Sequence, residues 1–262
     1  MSFLEHLKDA LHKVVTTDDR PVVVSAAMWP LLKTMGRKDP GAVYEVLELL
    51  IDLYGQRGLL MPCFSAGFDA QGRCDLDQVP SSTGVLSEAM RGRPGTVRTL
   101  SAWFSYLALG PCVQEVAELV PVEAWGAGSL YEWMEDRDVC FLLLGTHPTH
   151  CSYLHRLEWL ARDVLTYRFN KSISGILVRD GQARQVKETL FVRQLDPVEA
   201  VNDFTKLMPY LRAGGMREAS VAGVSLSAYE ARSLLNSVLP AMRADAGLVL
   251  RDAENIFNKD TK

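Results

Sequence analysis

The feature that most constrains the fold is the alternation of short apolar runs with stretches of helical spacing along the 262 residues. Pro21–Ser25 and Val139–Gly145 are strand-sized runs, whereas Ala42–Tyr54 carries apolar residues at the three- and four-residue spacing of a helix. Strands interleaved with helices favour a sheet that is covered by helices on both faces. We therefore predict an α/β fold with a central mixed β-sheet flanked by helices, organised as a single domain over residues 1–262.

The same patterns predict the other elements. Gly58–Phe64 and most of Arg98–Gly110 are predicted strands, and Tyr167–Arg193 is a predicted hairpin with its turn at Arg179–Asp180–Gly181. Ser65–Pro80 lacks periodicity and is predicted to be a long loop. The remaining predicted helices are Met1–Val15, Ser81–Arg91 (opened by Ser81 or Ser82 as N-cap), His150–Asp163, Pro197–Gly214 and Ala228–Arg243.

Charge and composition argue against several classes of protein. The formal net charge of −4 and the scattered Lys and Arg residues argue against a nucleic-acid partner and against a polybasic membrane patch. No apolar run approaches the roughly 20 residues that cross a bilayer, and the charges within Met1–Val15 are unlike those of a signal peptide. Five scattered cysteines favour reduced thiols over a disulfide framework. We expect a cytoplasmic protein that does not bind membranes.

The segment after Val139–Gly145 carries the candidate chemistry. It leaves a predicted buried strand and enters a predicted helix, and ligand sites in α/β proteins favour the carboxyl ends of strands. His155 and Glu158 are three residues apart on that helix, so their side chains can meet on one face. A carboxylate beside an imidazole orients the ring and favours its protonated form, which suits a general base. Such pairs are also common in packing alone, so their context has to decide.

Three of the five histidines crowd around Cys151 in the pattern His-x-x-His-Cys-x-x-x-His, from His147 to His155. Such a cluster could bind zinc, which would make the chain a metal-dependent hydrolase. Helix geometry pairs Cys151 with His155 but supplies no evident fourth ligand, and His147 precedes a proline in the loop. We therefore predict no metal site and keep the hydrolase as an alternative.

A second candidate site lies at the start of the predicted helix Ser81–Arg91. The hydroxyls and free N–H groups of Ser81 and Ser82 form a ready anion site, although a plain N-cap explains the same residues. Ser25, at the end of the first strand, adds a possible donor in the same crevice. The chain has no glycine-rich phosphate loop of the nucleoside-triphosphate or dinucleotide type and no Gly-x-Ser-x-Gly elbow.

These residues and several further motifs resemble the aminoglycoside 3-N-acetyltransferases and their relatives that acylate amino sugars for surface polysaccharides. The resemblance extends from about Pro21 to Leu250, and its landmarks keep the order and spacing of the family. Ser152–Glu158 resembles the family's Thr-x-x-His-x-x-Glu helix, and Asn202–Leu207 is more like the polysaccharide-locus relatives. The other landmarks are Pro80–Leu86, Arg93–Thr99, Ala108–Pro111, Gly126–Ser129, Leu142–Gly145 and Tyr167–Gly175.

The resemblance implies an N-acyltransferase that moves an acetyl or similar group from acetyl-CoA or another acyl-CoA to a small-molecule amine, such as an amino sugar. His155 would be the general base, Glu158 would steady the imidazolium, and backbone N–H groups would stabilise the oxyanion. A homodimer is among the expectations. The residues expected at the coenzyme are Ser25, Ala26, Ala27, Met28, Ser81 and Ser82. Those expected at the acceptor are Trp103, Phe104, Tyr153 and His150.

Three positions depart from the family pattern. Ser25 stands where family members have a histidine, and Ser101–Ser105 lacks the histidine of the family's His-Pro-x-x-Ser. Thr149–His150 replaces an Asp/Asn-Ser pair. Because His155 and Glu158 are present, these departures bear on aminoglycoside resistance more than on acyl transfer. They also keep open a third alternative, a catalytically silent relative that only binds a ligand or partner.

Overall fold

The structure, a computed structural model, describes residues 2–196 and 199–257. The strands are β1 (Val22–Ala26), β2 (Leu59–Pro62), β3 (Arg73–Asp75), β4 (Val97–Arg98), β5 (Tyr106–Leu109), β6 (Cys140–Leu144), β7 (Arg168–Arg179), β8 (Gln182–Arg193), β9 (Arg217–Val221) and β10 (Val224–Glu230). The α-helices are α1 (Phe3–Val14), α2 (Met28–Met35), α3 (Pro40–Tyr54), α4 (Val85–Arg91), α5 (Val113–Val116), α6 (Leu130–Asp136), α7 (Leu154–Leu160), α8 (Met208–Ala213), α9 (Ala231–Ala244) and α10 (Ala253–Phe257).

The larger sheet has seven strands in the order β4-β5-β2-β1-β6-β10-β9. Its centre is parallel, because β1 pairs in parallel with β2 and β6, whereas β5 and β10 are antiparallel neighbours. Along β6, Cys140, Leu142 and Leu144 face one apolar cluster, and Phe141 and Leu143 face the other. Burial on both faces explains why this strand is apolar throughout. The predicted central mixed sheet flanked by helices is confirmed, and its extent as one domain stays a prediction.

A second sheet has three strands in the order β3-β7-β8, and it contains the predicted hairpin. Asp180 and Gly181 both have positive φ, 53° and 69°, as a two-residue hairpin turn requires. Leu190 and Phe191 of β8 belong to the same apolar cluster as the buried face of α7. The packing of this sheet therefore brings Arg168, the first residue of β7, beside α7.

Several element boundaries differ from the sequence prediction. Only residues 154–160 of His150–Asp163 are helical, because the preceding residues form a hydrogen-bonded loop after β6. The first residues of Ala228–Arg243 complete β10, and the loop predicted at Ser65–Pro80 contains β3. Within Pro197–Gly214 the helical residues are a 3-10 turn at Phe204–Leu207 and α8, and Pro197 and Val198 lie outside the described residues.

Across the described ranges, no helix is both long enough and apolar enough to cross a membrane. The five cysteines are free and buried. Burial raises the pKa of Cys151 to about 11 and that of Cys140 to about 12, so both thiols stay protonated at neutral pH. The cytoplasmic location stays a prediction.

Candidate active site

A buried carboxylate organises the candidate site. The Nδ1 atom of His155 lies 2.6 Å from Oε2 of Glu158, which is fully buried. The guanidinium of Arg168 reaches both carboxylate oxygens, with Nε 3.0 Å from Oε1 and Nη2 2.8 Å from Oε2. Asn202 donates a further hydrogen bond from Nδ2 to Oε1 at 2.9 Å. These charge-assisted contacts fix Glu158 as an ionised acceptor.

The contacts of Glu158 determine which nitrogen of His155 is free. An ionised carboxylate only accepts hydrogen bonds, so Nδ1 of His155 carries the proton and donates it to Glu158. In the neutral ring, Nε2 then carries the lone pair. The side chain is 32% exposed, whereas the Glu158 carboxylate that it contacts is fully buried. This geometry suits a general base.

A cavity of about 600 Å³ lies at His155, and we call it the aromatic cavity. The rings of Phe204 and Trp125 contact the imidazole, with centroids 5.3 and 5.8 Å away, and Phe104 packs on Trp125 at 4.7 Å. The volume falls within the range of small-molecule sites. The rest of the lining is Arg168, Phe191, Val192, Arg193, Leu195, Val201 and Asn202.

A second cavity, of about 210 Å³, lies at the carboxyl ends of β1, β2 and β6, and we call it the hydroxyl cavity. This is the crevice where α/β proteins favour ligands. Phe64 of the hydroxyl cavity packs edge-on against Phe104 of the aromatic cavity, with ring centroids 5.3 Å apart, so the two cavities adjoin at this pair. The full lining is Ser25, Ala26, Pro62, Phe64, Thr83, Thr146, His150 and Ser152.

Two of the residues predicted at the coenzyme, Ser25 and Ala26, line the hydroxyl cavity. Ala27 instead donates its backbone N–H to the carbonyl of Leu144 at 2.9 Å. Met28 is 5% exposed, because α2 begins there and places this side chain in the apolar cluster of the sheet. The Met28 side chain therefore belongs to the core, and contact of this residue with coenzyme stays a prediction.

Neither Ser81 nor Ser82 caps the helix that follows them. Gly84, with a φ of 115°, is the N-cap of α4 and makes no side-chain hydrogen bond. The backbone N–H of Ser81 donates to Oε2 of Glu88 at 2.7 Å, so a carboxylate of the chain already holds this predicted anion donor. The hydroxyl of Ser82 donates to the carbonyl of Phe64 at 3.0 Å. The N-cap prediction is wrong, and contact of these serines with coenzyme stays a prediction.

The residues predicted at the acceptor are divided among different environments. Phe104 lines the aromatic cavity, whereas Trp103 packs on Phe68 with ring centroids 5.1 Å apart. Tyr153 has no exposed surface and packs on Phe141, because it precedes α7 on the side that faces the sheet. Its predicted contact with the acceptor stays a prediction, although its burial favours a role in the core.

His150 lines the hydroxyl cavity and not the aromatic one. Its Nδ1 atom lies 2.7 Å from the hydroxyl of Thr146, in the loop that follows β6. Burial, together with the neighbouring His147, lowers the pKa of His150, so this ring is neutral near pH 7. Its predicted contact with the acceptor stays a prediction, although its position favours the other cavity.

The His/Cys cluster is not assembled around a common point. Cys151 is buried, the Nδ1 atoms of His147 and His150 lie against threonine hydroxyls, and His155 is bonded to its carboxylate partner. In the part of the chain that the structure describes, no group of three or more His, Cys, Asp or Glu side chains could hold a metal ion. The metal-dependent hydrolase therefore has no support from the geometry.

Sequence reasoning missed Arg168, Asn202, Trp125 and Phe204 as site residues. Arg168 could have been found from the sequence, because a carboxylate buried on a helix requires a cationic partner. Arg168 is a cation near the start of the predicted hairpin, ten residues after Glu158. Trp125 had no such signal, because its contacts come from distant residues such as Arg156, whose Nη1 donates to the carbonyl of Trp125 at 2.5 Å.

The loop between β4 and β5 that carries Phe104 is tied to the second sheet through Glu188. The hydroxyl of Ser101 donates to Oε1 of Glu188 at 2.7 Å and accepts a hydrogen bond from the backbone N–H of Phe104 at 3.0 Å. Glu188 is 3% exposed, and none of the ion pairs in the described ranges involves it. Burial therefore raises the pKa of this carboxyl.

We expect Glu188→Gln to raise the free energy of unfolding near pH 7 by about 1 kcal/mol, a size common for single stabilising substitutions. The native carboxyl has a raised pKa and so binds its proton more tightly than the unfolded one. Ionisation of Glu188 near pH 7 therefore destabilises the folded chain, and a neutral Gln removes this loss. Stability of the wild type falls as the pH rises from the unfolded pKa, about 4.3, through the native pKa. The gain should thus shrink near pH 4 in urea titrations. Glu254→Gln, on exposed α10, is the matched control, and a gain that is equal at both pH values would contradict the assignment.

The fold and the comparisons with known proteins place this chain among the N-acetyltransferases. The sequence model of the aminoglycoside 3-N-acetyltransferase family matches residues 32–243. The chain belongs to that family.

Solved structures of similar fold agree with this membership. The structure of AAC-IIIb, a binary complex with CoASH, has a TM-score of 0.73 at 19% identity over 92% of this chain and 96% of that chain. AAC-VIa bound to sisomicin has a TM-score of 0.75 at 18% identity over 93% and 98%, respectively. The YokD protein from Bacillus subtilis has a TM-score of 0.71 at 14% identity over 93% and 94%. No curated protein matches the chain by sequence.

Proposed function

We propose that this chain is an acetyl-CoA-dependent N-acetyltransferase in which His155 removes the proton of the acceptor amine. The observation that carries this proposal is an imidazole that is held through Nδ1 by buried Glu158 and that lines an open cavity. Membership of the family supports the reaction type. The similar structure solved with CoASH supports acetyl-CoA as the donor.

In the proposed reaction the amine nitrogen attacks the carbonyl carbon of the thioester, so that a C–N bond forms and the C–S bond breaks. The proton moves from the nitrogen to Nε2 of His155 and then to the departing thiolate, which gives an acetamide and CoASH. Glu158 stabilises the imidazolium while the ring holds the proton. The acceptor is a small-molecule amine, and an amino sugar is the acceptor class that the sequence resemblance implies.

We assign the hydroxyl cavity to the donor and the aromatic cavity to the acceptor. The hydroxyls of Ser25, Thr146 and Ser152 suit the amide groups of a pantetheine arm, because a few placed polar groups orient a ligand in such a site. His155 lines the aromatic cavity, which is where the amine must reach its base. The thioester would meet the amine at the Phe64–Phe104 pair between the two cavities.

The donor assignment predicts that Ser25→Asp weakens binding of acetyl-CoA by about tenfold or more, because the added negative charge repels the negatively charged coenzyme. Titration calorimetry gives the Kd, and circular dichroism shows whether the variant is folded. Ser174→Asp introduces the same charge on the exposed face of β7 and should bind like the wild type. An unchanged Kd for folded Ser25→Asp would show that the donor lies elsewhere.

A further inference from the structure

We infer that the preferred acceptor is a monoamine with an aromatic body, and not a polycationic sugar. This inference rests on the proposed function, since it takes the aromatic cavity beside His155 as the place of the acceptor. Three features of that cavity support it: the charges of its lining, the rings that form its walls, and the single base that it contains.

The charges of the cavity disfavour a polycation. Among the described residues that line it are Arg168 and Arg193 but no Asp or Glu. Two nearby carboxylates are already paired, because Glu158 is bonded to Arg168 and His155, and Glu199 lies 2.7 Å from Nη1 of Arg193. An ammonium group that entered would lose its water and gain no carboxylate, and this burial of an unpaired charge is unfavourable.

The walls of the cavity favour a flat apolar body. Four aromatic residues line it, namely Phe104, Trp125, Phe191 and Phe204. The rings of Trp125 and Phe204 both contact the imidazole of His155. Aromatic rings attract one another in stacked or edge-on arrangements beyond the area that they bury. The carbonyl of Trp125 is fixed by Arg156, so this wall is formed before the ligand arrives.

The single base explains why one amino group is accepted and several are not. The amine that reacts enters as the neutral base and passes one proton to His155 as it attacks, so it leaves no ammonium charge in the cavity. Any second ammonium would keep its charge in a cavity where Arg168 and Arg193 already hold the carboxylates of Glu158 and Glu199. A monoamine avoids this burial of an unpaired charge, whereas an aminoglycoside with several ammonium groups does not.

The test compares phenethylamine, glucosamine and sisomicin as acceptors for the full chain with saturating acetyl-CoA. Release of CoASH, followed with a thiol reagent, gives kcat/KM for each amine. We expect kcat/KM for phenethylamine to exceed that for sisomicin by a factor on the order of 10², within the range that differential contacts supply. Glucosamine, a monoamine without a ring to stack, should fall between them.

A variant tests the charge argument directly. Leu195 lines the cavity and is 64% exposed, so Leu195→Glu adds a carboxylate there without disturbing the core. It should lower the preference for phenethylamine over sisomicin by about tenfold, since it supplies the missing partner of an ammonium group. Val122→Glu is the matched control, because Val122 is 67% exposed and lies outside the cavity lining.

The outcomes separate this inference from the proposed function. If CoASH is released preferentially with sisomicin or glucosamine, the inference is wrong and the acetyltransferase proposal stands. If no amine releases CoASH, the proposed function is wrong, and calorimetric titration of the three amines still decides the inference. Tighter binding of phenethylamine would support an aromatic monoamine as the ligand, and tighter binding of sisomicin would overturn it.

Discussion

Replacing His155 with alanine is expected to lower kcat by a factor on the order of 10²–10⁴, because a positioned general base contributes about this much. The Kd of acetyl-CoA should stay within about twofold, since the base acts mainly in the transition state and its ring lines the other cavity. Single-turnover rates together with calorimetric titration of acetyl-CoA measure the two effects separately.

Two further variants sharpen this test. Glu158→Gln keeps a hydrogen bond to Nδ1 but loses the charge that stabilises the imidazolium, so it should cost less than His155→Ala. His12→Ala removes an exposed histidine of α1 and should leave both constants unchanged. Full activity in His155→Ala would refute the mechanism while leaving the family membership untouched.

The second large effect concerns stability. Arg168→Met should lower the free energy of unfolding by about 3–5 kcal/mol, because it leaves the charge of Glu158 buried without its cation. The double variant Arg168→Met with Glu158→Gln should recover most of that loss, although it should remain slow in turnover. Urea titrations at constant pH measure both.

Arg193→Met provides the comparison at a solvent-exposed pair. Arg193 and Glu199 are both partly exposed, so this variant should lose at most about 1 kcal/mol. A loss of similar size in Arg168→Met would mean that the Glu158 charge is compensated without Arg168.

The central sheet and the His155–Glu158 pair could be predicted because both depend on short-range spacing. Burial of β6 on both faces explains its unbroken apolar run, and a separation of three residues on a helix brings the imidazole to the carboxylate. The hairpin turn at Asp180 and Gly181 was predictable for the same reason, since two adjacent residues define it.

The other parts of the site could not be predicted, because they depend on contacts between distant segments. Ser152, Tyr153 and His155 lie close together in sequence, yet one lines the hydroxyl cavity, one is buried under the sheet and one reaches the aromatic cavity. Only the orientation of α7 against the sheet decides which is which. Similarly, the backbone N–H of Ser81, which was predicted to bind an anion, donates instead to the carboxylate of Glu88, seven residues along the chain.

The position of β1 in the sheet has a consequence for folding of the chain during its synthesis on the ribosome. Val22 pairs with Leu59 on one side and with Cys140 on the other. The first partner follows soon after β1 during synthesis, whereas the second emerges much later, and pairings that are distant in sequence form slowly. Until β6 emerges, the nascent chain exposes one edge of an apolar strand, which is a template for aggregation. The parallel arrangement that places Ser25 beside the loop of His150 thus creates a vulnerable interval in translation.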